Sequence, residues 1–132
     1  MTDKERTDLI QFRLEQAEKT YQELRQLIEI NSLDAAVNRI YYGMFYGLLA
    51  LALKHHFETS KHQQLLGWFN KNFIHTQKIE LDYAKIIQKT FERRMRSDYE
   101  AFVHFDKETV EQMYADMRLF LDRIRKEIGQ TA

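Results

Sequence analysis

Two short stretches of this chain carry side chains suited to phosphate chemistry. Arg39, Tyr42, Gly43 and Tyr46 are spaced three, four and seven from the arginine, so they share one helix face. Arg39 opens the most apolar run of the chain, Ile40 to Leu53. A guanidinium cannot discard its charge, so burial there requires an acidic or carbonyl partner. One reading is a structural ion pair that fixes helix register. The other places Arg39 and the tyrosine hydroxyls of Tyr42 and Tyr46 at a cleft that takes a phosphate or a base. The second stretch runs from Lys89 to Tyr99. Lys89, Arg93, Arg94 and Arg96 face Glu92 as the sole acid among them. Arg94 and Asp98 are four apart and can pair along a helix. Such a run reads as a solvated basic face, or as a phosphate clamp beside Tyr99, an aromatic able to stack on a base.

His104 follows this patch and is the histidine nearest to it in sequence. His62 stands next to a helix start, where an exposed position is the plain reading. Metal chemistry lacks its spacings. No Glu-x-x-His or His-Glu-x-x-His occurs, and Glu58/His62 and Glu100/His104 are spaced by four rather than three. Cysteine is absent, which removes disulfides, thiolate ligands and cysteine nucleophiles. No glycine-rich loop precedes a helix, and no strand-turn-helix elbow is available for a nucleophilic serine. Neither a metal nor a cofactor is expected.

The elements that must position these residues are helices. The 132 residues contain no proline and four glycines, too few turn residues for a β-sandwich. The length suits one domain, spanning 1–132. Twenty basic residues balance twenty acidic ones, against a uniformly basic nucleic-acid coat. Met1 to Glu18 is charged throughout and lacks a secretory core. The Ile40–Leu53 run is shorter than the ~20 residues of a membrane span. A cytoplasmic protein is the expectation.

Five helices are predicted. Asp3 caps the first, whose stripe is Ile10, Leu14, Ala17, Tyr21, Leu24 and Ile28. The second runs from Leu33 to Phe57 and is apolar on every face in its middle, so other helices should surround it. Gly43 and Gly47 let a neighbouring backbone come close. Thr59 and Ser60 cap a third helix reaching Phe73. The fourth spans Leu81 to Phe102, with Tyr83, Ile86, Ile87, Phe91 and Met95 inward. Asp106 caps the fifth, whose stripe is Val110, Met113, Met117, Leu121, Ile124 and Ile128, and Gly129 stops it. Short connections favour an all-α, five-helix antiparallel up-and-down bundle with the second helix buried at its centre.

Three segments, in order, resemble the HEPN domain family (higher eukaryotes and prokaryotes nucleotide-binding). Ala35 to Ala50, with Arg39, Tyr41-Tyr42 and Gly43, resembles the family's second-helix signature. Lys61 to Asn70 resembles the segment in which a histidine begins a short helix ending in phenylalanine. Arg94-Met-Arg-Ser-Asp-Tyr99 resembles its Arg-x-x-Ala-Asp-Tyr signature, with Ser97 in the alanine position. The resemblance covers about residues 10–128. It implies a helical bundle that commonly dimerises and a link to nucleotides or RNA. It also implies a nucleotidyltransferase-type antitoxin as the usual partner of members that act as ribonuclease toxins.

The ribonuclease branch places four to six residues between an arginine and a histidine. Here seven separate Arg96 from His104 and nine separate Arg94 from it. Two functions follow. One is a module that binds a nucleotide, or docks a nucleotidyltransferase-type partner, through Arg39, Tyr42, Tyr46, Arg94, Arg96, Asp98 and Tyr99. The other is a metal-independent ribonuclease with Arg94 or Arg96 on the phosphate, Asp98 beside them, and His104 as the acid–base group. Asp98 pairs either with Arg39 across the bundle or with Arg94 along the helix.

Overall fold

Each helix begins and ends for a reason that can be named in its own residues. The computed structural model describes residues 1–129, and every regular element among them is helical. Helix α1 spans Asp3–Glu29. Thr2, not Asp3, is its cap: the Thr2 hydroxyl accepts from the Glu5 amide at 3.1 Å, and Asp3 becomes the first helical residue. Helix α2 spans Leu33–Lys54 and stops three residues short of the predicted Phe57. His56 adopts a left-handed φ of 61°, and the Phe57 and His56 amides fold back onto the Ala52 and Leu53 carbonyls at 2.8 and 3.1 Å. This is a Schellman end with histidine in the position glycine usually holds. Asn31, at φ 60°, closes α1 in the same way, its amide and that of Ser32 bonding Ile28 and Leu27 carbonyls.

Helix α3 spans His62–Phe69, preceded by Lys61 rather than capped by Thr59 or Ser60. Thr59 instead accepts from the Lys61 amide at 3.1 Å. The chain continues past Phe69 as a π-helical turn, Asn70–Ile74, closed by the His75 amide on the Asn70 carbonyl at 2.9 Å. Helix α4 spans Leu81–Tyr99. It ends three residues before the predicted Phe102, because Glu100 turns to extended backbone, and Phe102 is 95% exposed. Helix α5 spans Lys107–Ile128. Asp106 accepts from the Thr109 amide at 2.8 Å, and Gly129 closes the helix at φ 98°.

The five helices pack as an antiparallel bundle around α2, which contacts α1, α3, α4 and α5. Ala36, Val37, Ile40, Tyr41, Met44, Leu48 and Leu51 of α2 are fully buried. All six predicted stripe residues of α5 are buried. In α1 five of its six are buried, with Tyr21 partly so. Gly43 and Gly47 admit side chains of α5, not a backbone. A Cβ on Gly43 would meet the Met117 methyl, and one on Gly47 would lie 2.9 Å from Leu121 Cδ2. Helix α4 sits less deeply. Only Ile87 and Thr90 are buried along it, and Met95, predicted inward, is 36% exposed. No helix among the described residues is long and apolar enough to cross a membrane.

Candidate functional site

The first predicted constellation does not stay together. Arg39 is half-exposed and reaches sideways to Glu23 of α1 at 3.6 Å, so it is neither buried nor paired with Asp98. The flank of α2 beside α1 keeps it in reach of water, which is where a charge needing little desolvation settles. Tyr42 and Tyr46, by contrast, remain neighbours one turn apart, their ring centroids 6.4 Å apart.

The second constellation meets α2 through Arg94. Its side chain is 15% exposed, and Nε lies 2.9 Å from Asp98 Oδ2, the helical pairing along α4. Nε has no aligned hydrogen bond, so this contact is an ion pair. Nη2 donates to the Tyr42 hydroxyl at 3.1 Å, and Nη1 contacts Met95 Sδ at 3.5 Å. The guanidinium carbon stands 5.3 and 5.6 Å from the Tyr42 and Tyr41 rings. A carboxylate, a hydroxyl and two aromatic faces thus orient one cation. A guanidinium has five N–H donors, and two are left over from Asp98, Tyr42 and Met95 for a ligand. Arg96 is exposed and pairs loosely with Glu100 at 3.5 Å, and Tyr99 leaves its ring in solvent.

His104 is 70% exposed and lies 3.2 Å from Asp34 Oδ2, in the first turn of α2. With Phe105 it borders a surface cleft against Asn31, Ser32 and Ala35. Its partner is therefore Asp34 and not the arginine cluster. The extended backbone after α4 carries it there.

A different histidine joins Arg94's neighbours. His62, far from simply exposed, is half-buried at the start of α3. Its Nδ1 lies 2.8 Å from the Tyr41 hydroxyl. Its ring stacks on Phe45 with centroids 4.1 Å apart and meets Tyr42 edge-on at 5.7 Å. Burial, and then the charge of Arg94, hold the His62 imidazole below its ordinary pKa, favouring the neutral ring. Burial likewise pushes the Tyr41 hydroxyl well above the usual range, against the opposing pull of Arg94. Sequence spacing missed both Tyr41 and His62. The available signal was a tyrosine in the all-apolar part of α2, whose hydroxyl must find a partner when buried.

No cluster of three metal-ligating side chains occurs among the described residues. The arrangement can hold an anion and present an imidazole beside it.

Comparison with known proteins gives the family of the chain. The HEPN domain matches residues 10–127. A UPF0332 protein of Thermotoga maritima is 34% identical over 124 residues, covering 94% of each chain. Two proteins of Methanocaldococcus jannaschii, each named a putative toxin, are 33% and 30% identical. The alignments cover 86% and 92% of this chain, and 77% and 90% of theirs.

Proposed function

We propose that this chain, which belongs to the HEPN domain family, is a nucleotide- or RNA-associated module that holds a phosphate group at Arg94. The observation that carries the reading is the fixed guanidinium at the α2–α4 junction. Asp98 and Tyr42 set its orientation and leave N–H donors free. Tyr99, next in sequence to Asp98, exposes a ring of the kind that stacks on an unpaired base. Neutral overall charge means that affinity must come from such a local arrangement rather than from a basic coat. The test is anisotropy of a labelled single-stranded oligoribonucleotide in EDTA. Binding that Arg94→Ala abolishes supports the site, and binding unchanged by that substitution rejects it.

A second reading is favoured by the relatives named as putative toxins. In it the chain is a metal-independent ribonuclease, the toxin of a pair whose antitoxin is of nucleotidyltransferase type, and it acts as a homodimer. Arg94 then stabilises charge on the scissile phosphate. Incubation with a mixed RNA pool in EDTA separates the two readings. Cleavage lost in Arg94→Ala supports the nuclease. No cleavage by folded wild type, with binding intact, supports the module.

A further inference from the structure

The geometry points to His62 as a second ligand for that anion, its Nε2–H donating to an oxygen of a phosphodiester held by Arg94. The inference rests on the reading of Arg94 as the phosphate-binding residue and adds a specific donor and ligand class to it. Tyr41 is fully buried, and among the described residues its hydroxyl has one hydrogen-bonding neighbour, His62 Nδ1 at 2.8 Å. A buried hydroxyl has to place its proton on an acceptor. Arg94, the nearby cation, only donates. The Tyr41 hydroxyl therefore donates to Nδ1, and a neutral imidazole that accepts at Nδ1 carries its own proton on Nε2.

Nε2 makes no hydrogen bond within the described residues and is not shut off from solvent. The ring is also held in place. Phe45 stacks on one face with planes 12° apart, and the Tyr41 ring lies 5.5 Å away. Tyr42 touches both candidate ligands, accepting from Arg94 through its hydroxyl and meeting His62 through its ring. The fixed cation and the neutral donor thus share one tyrosine. Asp98 already offsets much of the Arg94 charge, so the single negative charge of a phosphodiester is opposed less than the double charge of a phosphomonoester.

The test uses the full chain with nitrogen-15 imidazoles and two probes, inorganic phosphate and a 2′-O-methyl oligoribonucleotide that cannot be cleaved. The expected free state is His62 protonated on Nε2, and the Nε2 resonance shifts when the oligonucleotide is added. His62→Phe keeps the stack on Phe45 and removes the donor, so oligonucleotide affinity falls about tenfold, the value of one hydrogen bond to a charged group. His62→Gln, which restores an amide donor, recovers part of it. A proton on Nδ1 overturns the assignment, and this readout stands even if His62→Phe does not fold. Affinity unchanged in His62→Phe but lost in Arg94→Ala overturns the His62 inference and leaves the Arg94 site standing. Affinity unchanged in both rejects the site itself. Inorganic phosphate binding as tightly as the oligonucleotide overturns the phosphodiester class.

Discussion

Arg94 matters as a shape as well as a charge. Its planar fork reaches Asp98 and Tyr42 together, and a lysine ammonium cannot reproduce that two-sided contact. Arg94→Lys is therefore expected to weaken oligoribonucleotide binding about tenfold despite conserving charge. Equal affinity in an anisotropy titration would show that charge alone suffices. His62 gives a second residue-level prediction. Its folded-state pKa lies below the ordinary 6.5, so the unfolded chain takes up the proton first. Stability from the neutral, stacked ring is complete above 6.5 and is lost as pH falls through the folded-state value. His55, packed edge-on to Phe73 at 5.0 Å and also lowered chiefly by burial, acts in the same direction. Urea melts of wild type should weaken as pH falls below 6.5, and His62→Gln should flatten the slope; an unchanged slope would remove His62 as a cause. Arg94 and Asp98 could be found in the sequence because helical spacing relates them. Helical spacing could not give His62, whose tie to Tyr41 crosses the α2–α3 turn; the family resemblance marked that histidine but gave it no role. His104 was singled out because nearness in sequence stood in for nearness in space.

Helix ends account for most of the differences between the predicted and observed elements. The apolar stripes of α1 and α5 placed those helices correctly, because periodic burial is a signal averaged over many turns. The ends of α2 and α4 ran on too far because the residues that stop them look unremarkable. Asn31, His56 and Gln77 take left-handed φ values of 60–62° where glycine would be free of strain. Such a conformation costs an ordinary residue roughly 1–2 kcal/mol, while glycine gives back about 0.5–1 kcal/mol in chain entropy. His56→Gly is thus expected to stabilise the protein by up to about 1 kcal/mol in chemical denaturation. Destabilisation would mean that the His56 side chain contributes more than its backbone costs. The opposite change tests a cap that the sequence did reveal. Asp106→Ala removes the acceptor for the Thr109 amide and should cost about 1 kcal/mol.

Over the whole molecule, the neutral charge balance conceals an uneven distribution of restraint. Helices α1 and α5 are pinned to one another by Arg25 with Glu111 and by Arg118 with Glu18. Between these pairs, Tyr21 and Tyr114 stack with centroids 4.4 Å apart, each ring covered by one of the two arginines. Arg123 of α5 ties down the approach to α4 through Glu80 and the Lys78 carbonyl. Among the described residues, the second half of α4 carries no such ion pair to another helix. Beyond Thr90 it is held by the half-buried Phe91 and by Arg94's contacts with α2, and the chain then leaves as exposed backbone toward Phe102. The candidate site therefore lies on a helix segment with no fully buried apolar side chain, where local opening requires little free energy. Hydrogen exchange should show amides 91–99 opening well before those of buried α2, residues 36–52. A bound phosphodiester that bridges Arg94 on α4 and His62 on α3 would slow the 91–99 amides selectively, because opening would release it. Equal protection of α4 and α2 in the free protein would contradict this picture. Slowing spread evenly over all helices would instead place the ligand's contribution in the fold as a whole rather than at the α2–α4 junction.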